Sequence, residues 1–155
     1  MTKIPSYTEL TYLYEQKHEA LLKNFPASTD PKQVYETIIE LGRTLPPIPD
    51  SIKTAENLVS GCQSEVYLST RINEDGKIFY EIGSEALISS GLAALLLLIY
   101  QGEVAELILL CPPRFISELG LAKSLSPGRA GGLASIYARM KQEATKLYLQ
   151  KNANP

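Results

Sequence analysis

From Ala86 to Gln101 the chain carries 16 consecutive residues without a charge, ALISSGLAALLLLIYQ. A helix that spans a bilayer needs about 20 apolar residues, and this run is shorter and contains Ser89, Ser90 and Gly91. A helix that is apolar on every side must be enclosed by other elements. The run therefore predicts the buried central helix of a soluble core. Ser84 is suited to cap its start, with Glu85 close to the positive helix end. A chain of 155 residues can surround such a helix within one domain.

The covering elements follow from local pattern. Ser64–Ile72 alternates, with Val66, Leu68, Thr70 and Ile72 on one side and Glu65, Tyr67, Ser69 and Arg71 on the other, the period of a half-buried strand. Asp75-Gly76 marks a hairpin turn. The returning strand places Ile78, Tyr80 and Ile82 opposite Phe79 and Glu81. A lone hairpin is marginally stable, so the central helix must cover it and a further strand can pair with it.

Asp30-Pro31 starts a helix with an N-cap acid and proline at the first position, and Val34, Tyr35, Ile38, Ile39 and Leu41 form its apolar face. Residues 45–49, LPPIP, form a stiff connection into an irregular stretch from Ser51 to Asn57. Residues 8–24 read as a helix with Leu10, Leu13, Tyr14, Leu21 and Leu22 as its stripe and Pro26 as its stop. His18, the only histidine, is expected at the surface. Short helices are expected from Gly102 to Leu110 and from Pro112 to Leu119, with Gly120 as a stop. The last helix opens with Ser126 and Pro127 and runs to about Gln150.

Two cysteines stand 49 positions apart, which gives neither metal-ligand spacing nor a disulfide framework. Cys111, between Leu110 and two prolines, is expected to pack. Cys62 lies on a different kind of segment, Leu58-Val59-Ser60-Gly61-Cys62-Gln63-Ser64. Gly61 lets the backbone take a positive φ or crowd another surface. Gln63 and Ser64 bring hydrogen-bonding groups beside the thiol. A free cysteine is often simply buried, but a thiol on a loop anchored by a strand is well presented to a partner.

The formal charge of −2 supplies no electrostatic footprint for nucleic acid. Lys3, Pro5 and Tyr7 precede no sustained apolar run of a secretory signal. A cytoplasmic, reducing compartment, where a free thiol survives, is the expectation. Nothing in the sequence demands more than a monomer.

The segment around Cys62 resembles the active loop of the SufE/CsdE family. Upstream, Leu41-Gly42-Arg43-Thr44-Leu45-Pro46 is similar to the family's helix end. Downstream, Gly83-Ser84-Glu85-Ala86-Leu87-Ile88 with Gly91-Leu92 is similar to its helix start. Leu119-Gly120-Leu121, Leu125-Ser126-Pro127-Gly128-Arg129 and Gly132-Leu133 follow its closing pattern. Order and spacing hold from about Leu21 to about Ala144. The chain departs from the pattern at Glu85 (commonly Asp), Ser90 (commonly Lys), Tyr67 (commonly Trp) and Cys111 (typically an acid).

The resemblance implies an α+β, SufE/IscU-like two-layer fold, a small antiparallel sheet packed against several helices. It divides the chain into an N-terminal extension (1–20), a sulfur-acceptor domain (21–150) and a frayed tail (151–155). It implies that Cys62 accepts persulfide sulfur from a pyridoxal-phosphate cysteine desulfurase (SufS/CsdA-like), stimulates that enzyme and passes sulfur to a SufBCD-like iron–sulfur scaffold. The cofactor belongs to the partner, and no metal site, nucleic acid or membrane is involved. Gly61, Gln63, Ser64, Glu85 and Arg129 are the candidate loop-supporting or partner-binding residues. Arg129 sits in a helix first turn, where the macrodipole disfavours a cation. It suits an internal ion pair or a contact to a partner or the cysteine loop. For Glu85, helix capping is the simpler role.

Rival functions are set apart by the same residues. Two cysteines cannot supply four thiolate ligands to a cluster from one chain. A cysteine hydrolase needs a base beside the thiol, and His18 is remote in sequence. A non-catalytic adaptor, whose cysteine only packs, remains the alternative to a sulfur carrier.

Overall fold

The computed structural model of the chain describes residues 5–25 and 30–153. Pro26, the expected stop of the first helix, and Asn154-Pro155, part of the expected tail, lie outside the described residues.

Local signals set most helix boundaries. The first helix, α1 (Tyr7–Asn24), opens with a capping box. Ser6 Oγ accepts from the Glu9 backbone N–H at 3.1 Å, and the Ser6 N–H donates back to Glu9 Oε2 at 3.0 Å. In α2 (Pro31–Gly42) Asp30 Oδ1 accepts from the Lys32 N–H at 3.1 Å. Between α2 and the sheet, the irregular stretch folds into two single 3-10 turns, Asp50–Ile52 and Ala55–Asn57. The Asn57 side chain donates to the Ile52 carbonyl at 2.9 Å, tying one turn to the other.

The sheet has three antiparallel strands in chain order, β1 (Tyr67–Ile72), β2 (Lys77–Gly83) and β3 (Glu103–Val104). The β1–β2 register runs from Tyr67 opposite Gly83 to Ile72 opposite Ile78. The connecting turn is locked by Asn73, whose Oδ1 accepts from the N–H groups of Asp75 (3.0 Å) and Lys77 (2.9 Å), with Gly76 at φ +79°. β1 starts three residues later than the alternation suggests, because Ser64–Val66 belongs to the loop that carries Cys62. Glu103 and Val104, expected in a helix, instead form β3 and pair with Ile78 and Lys77. Gln101 extends that short edge. Its side chain accepts from the Tyr80 N–H at 2.8 Å and donates to the Tyr80 carbonyl at 2.9 Å, replacing a missing strand neighbour.

The uncharged run forms α3 (Leu87–Tyr100), buried around most of its circumference; Leu87 and Leu98, each 50% exposed, are its outward positions. Its N-cap is Ala86, so Ser84 does not cap as expected. Ser84 Oγ instead accepts from the Ala86 N–H at 3.2 Å, and Ser90 Oγ donates to the Ser84 carbonyl at 2.8 Å. α2 crosses α3 at two glycines. A Cβ on Gly91 would fall 2.0 Å from the Ile38 carbonyl oxygen, and one on Gly42 would fall 2.7 Å from the Gly91 nitrogen. Lys17 caps the far end of α3, donating to the Ile99 carbonyl at 3.1 Å while pairing with Glu103.

Beyond β3 come α4 (Ala105–Leu110), α5 (Phe115–Glu118), α6 (Leu121–Ser124) and α7 (Pro127–Ala153). α5 begins three residues later than expected, since Pro112 and Pro113 stay outside it, and α6 is an unexpected single turn after Gly120, whose φ is +64°. The Arg129 N–H donates to Ser126 Oγ at 3.3 Å, the expected cap of α7. α7 continues through Ala153 rather than ending near Gln150, so the described part of the tail, 151–153, is helical.

The expected boundary at residue 20 falls inside α1, whose inner face of Leu10, Tyr14, His18 and Leu21 is core. The described part of the first 20 residues therefore packs with the rest. Leu13, placed on that stripe from sequence, is 41% exposed, because the true stripe steps 10, 14, 18, 21. The correction for His18 is larger. It is 1% exposed, stacked on Tyr14 at 5.5 Å between ring centroids, with Nδ1 3.2 Å from Arg114 Nη2 and Nε2 3.6 Å from Glu118 Oε2. A polar ring on the apolar stripe reads as a surface residue until a tertiary partner supplies its hydrogen bonds.

Candidate functional site

The Cys62 loop is closed at its base by strand pairing. The Val59 N–H donates to the Val66 carbonyl at 2.8 Å, and Leu58 bridges to Tyr67. Residues 60–65 thus project from the start of β1. Gly61 turns the tip with φ +88°, the left-handed region that glycine enters at little cost.

The loop lies along one face of α7. Gln63 crosses Gly128 so closely that a Cβ there would fall 1.9 Å from Nε2. Cys62 Sγ lies 3.8 Å from the Gly132 carbonyl oxygen. Ser135 Oγ donates to the Gly61 carbonyl at 3.4 Å, and a Cβ on Gly61 would meet that hydroxyl at 2.4 Å. Further along, Arg139 Nη1 donates to the Leu58 carbonyl at 3.2 Å and Nη2 donates to the Glu56 carbonyl. Glu143 Oε1 accepts from Arg139 Nε at 3.0 Å. Positions 128, 132, 135, 139 and 143 are spaced by three or four, hence one helix face.

Cys62 is half-buried in this arrangement, and burial pushes its thiol pKa up. Partial burial disfavours the charged thiolate. Cys111 is 5% exposed, its pKa also raised chiefly by burial. Its carbonyl accepts from the Tyr100 hydroxyl at 2.6 Å. The first cysteine is on an accessible loop, and the second is in the core.

Arg129, one residue after Gly128, stands beside the loop at the start of α7. Its Nη1 is buried with no hydrogen-bond partner, and it makes no ion pair among the described residues. The internal-pair alternative is therefore not met within the described chain. Glu85 is exposed before α3 and does not cap it. It lines a cleft of about 720 Å³ with Pro46, Ile48, Lys53, Ser64 and Tyr67. Ser64 lines the same cleft, so the candidate residues fall into two groups. Gly61, Cys62 and Gln63 contact α7 at 135, 132 and 128, next to Arg129, while Ser64 and Glu85 line the cleft.

Sequence reasoning missed Ser135, Arg139 and Glu143. Their i, i+4, i+8 spacing was visible, but nothing in it names the loop carbonyls they meet. The His18 cluster draws on α1 and α5, and none of its partners belongs to the Cys62 loop. Among the described residues no group of three or more His, Cys, Asp or Glu side chains is placed to hold a metal ion. No helix among them is long and apolar enough to cross a membrane.

These features define a small α+β protein that presents one half-buried thiol from a loop laid along a glycine-lined helix. The chain belongs to the SufE family, whose model, the Fe-S metabolism associated domain, matches residues 19–144. It is 35% identical over 144 residues to SufE-like protein 1, chloroplastic/mitochondrial, of Arabidopsis thaliana, covering 92% of this chain and 39% of that one. It is 37% identical over 129 residues to an uncharacterized SufE-like protein of Synechocystis sp., covering 83% of this chain and 80% of that one. The chain thus spans well under half of the plant relative. The solution structure of a hypothetical protein from Thermus thermophilus shares the fold, with TM-score 0.65 at 23% identity over 86% of this chain and 94% of that one.

Proposed function

We propose that Cys62 accepts sulfur from the persulfide of a pyridoxal-phosphate cysteine desulfurase, stimulates that enzyme's turnover and passes the sulfur to an iron–sulfur scaffold. The observation that carries this reading is the contrast between the two thiols. Cys62 is half-buried on a glycine-turned loop, whereas Cys111 is enclosed by the core. Membership of a family associated with Fe–S metabolism supplies the context.

The Cys62 thiolate attacks the outer sulfur of the donor persulfide. The donor's sulfur–sulfur bond breaks, its electron pair returns to the donor cysteine, and a new sulfur–sulfur bond forms on Cys62. The exchange balances without an oxidant and parallels thiol–disulfide exchange. Attack needs thiolate, which burial opposes in the resting loop, so the tip leaves α7 when the donor docks. A tucked position then shields the loaded persulfide from oxidation and reduction.

Gly61 supplies the turn before the thiol, Gln63 seats the residue after it on α7, and Ser64 lines the neighbouring cleft. Arg129, whose Nη1 is buried without a partner while the loop is tucked, meets an acidic group of the donor once the tip has moved, and Glu85 offers a carboxylate at the neighbouring cleft. Turnover and cofactor belong to the donor, and a reducing compartment such as the cytoplasm suits the chemistry. The test is sulfide release by a cysteine desulfurase with wild type, Cys62→Ser and Cys111→Ser, together with intact mass without reductant. Stimulation lost only in Cys62→Ser, with about 32 Da (one sulfur atom) added to wild type, is the expected result. Equal stimulation by Cys62→Ser would make the protein an adaptor.

A further inference from the structure

The Cys62 loop is held to α7 by two unequal sets of contacts. At its tip the contacts are weak: a sulfur 3.8 Å from the Gly132 carbonyl and a hydroxyl 3.4 Å from the Gly61 carbonyl, both at the long limit for a hydrogen bond. At its base they are charge-assisted. Arg139 spans two carbonyls of the incoming chain, those of Glu56 and Leu58, and Glu143 holds the guanidinium from behind. Hydrogen bonds from a charged donor are roughly twice as strong as neutral ones. The Arg139 and Glu143 side chains are three-quarters or more covered, while the two carbonyls that the guanidinium reaches lie at the surface.

We propose that Arg139 is the positioning residue of the sulfur site. It pins the base of the loop at Glu56–Leu58 to α7, so that only the tip around Cys62 moves. The ladder between Val59 and Val66 restrains the loop from the β1 side, and Arg139 restrains it from the α7 side. With both in place, the thiol pivots about a defined point instead of drifting with the whole 50–66 segment. The planar fork matters, because a lysine amine has no fixed pair of donors to match two carbonyls. The site's purpose rests on the sulfur-acceptor reading, but the clamp does not.

The test measures alkylation of the native protein by iodoacetamide, resolved by peptide mass at Cys62 and Cys111. The buried Cys111 reports global opening, and Cys62 reports the loop. Arg139→Gln should raise the Cys62 rate about tenfold and leave the Cys111 rate unchanged. Arg139→Lys should give a smaller rise at Cys62 alone, since one amine can still reach one carbonyl. A Cys62 rate in Arg139→Gln at or below wild type would overturn the proposal. Parallel acceleration of both thiols would also overturn it, by making Arg139 a general stabiliser. No sulfur donor is present in this assay. A chain that never carries persulfide would still show the clamp, and a persulfide carrier with an unclamped loop would not.

Discussion

The side-chain amide of Gln63 occupies the space that a β-carbon on Gly128 would need, with Nε2 only 1.9 Å from that position. The residue after the thiol is thus seated on α7 by the absence of a side chain. Gly128→Ala should push the flexible end of Gln63 off α7 at little cost to the fold, since a side-chain amide can step aside where backbone cannot. Alkylation of Cys62 should rise modestly, by about twofold, as its neighbour loses that seat. An unchanged rate would mean that Gln63 shifts freely without moving its neighbour.

The crossing of α2 and α3 makes a stability prediction with its own control. Gly91→Ala drives a β-carbon to 2.0 Å from the Ile38 carbonyl oxygen, a backbone atom that cannot step aside. A loss of about 3 kcal/mol or more is expected. Gly131→Ala, on α7 with nothing within 4 Å, should be neutral or stabilising by about 0.5–1 kcal/mol. Urea midpoints of the two variants check the pair, and similar midpoints would contradict the close helix approach.

Burial pushes the Cys62 thiol above its ordinary value of 9.0, so the folded protein holds less thiolate than a free cysteine at the same pH. Its alkylation rate should climb about tenfold per pH unit from about pH 7 to pH 9, with a midpoint above 9.0. In denaturant the midpoint should fall back toward that of a free thiol. A folded-state midpoint at or below 9.0 would show that a nearby positive charge outweighs burial.

Four phenols set into the fold predict where alkali weakens it. Burial raises Tyr14, Tyr80, Tyr100 and Tyr137 above 10.0, Tyr137 to about 12. Because the folded values are the higher ones, the unfolded chain loses these protons first. The stability they contribute is fully present below about pH 10 and drains away as pH rises through the folded values. The urea midpoint should hold to about pH 9 and then decline. Tyr100→Phe should reduce the decline, while costing about 1 kcal/mol near neutrality for the lost bond to the Cys111 carbonyl. A decline of equal steepness in Tyr100→Phe would remove Tyr100 as a cause.

Much of the fold was legible because it is encoded locally. Asp30-Pro31 and Ser126-Pro127 start helices where they stand, since a cap and a fixed φ act within one turn. Asn73 to Gly76 closes the hairpin by bonds spanning four residues. The uncharged run could only be a buried helix. Less visible were contacts whose partners lie far along the chain. Gln101 completes the edge of β2, Arg114 meets His18 Nδ1, and Arg139 reaches back to Glu56 and Leu58. A polar side chain carries no mark of which distant carbonyl it will meet.

By itself, then, the sequence determined the element types, the central helix, the thiol loop and the family resemblance, all of which rest on short-range pattern or motif order. The expected packing of Cys111 is met, but tertiary structure alone decided that the thiol's support comes from α7. It also separated Glu85 and Ser64, at the cleft, from Cys62 and Arg129. The physical reason is that burial and hydrogen-bond pairing belong to surfaces brought together by packing. Residues 61 and 135 become neighbours only when the sheet and α7 close on the same core.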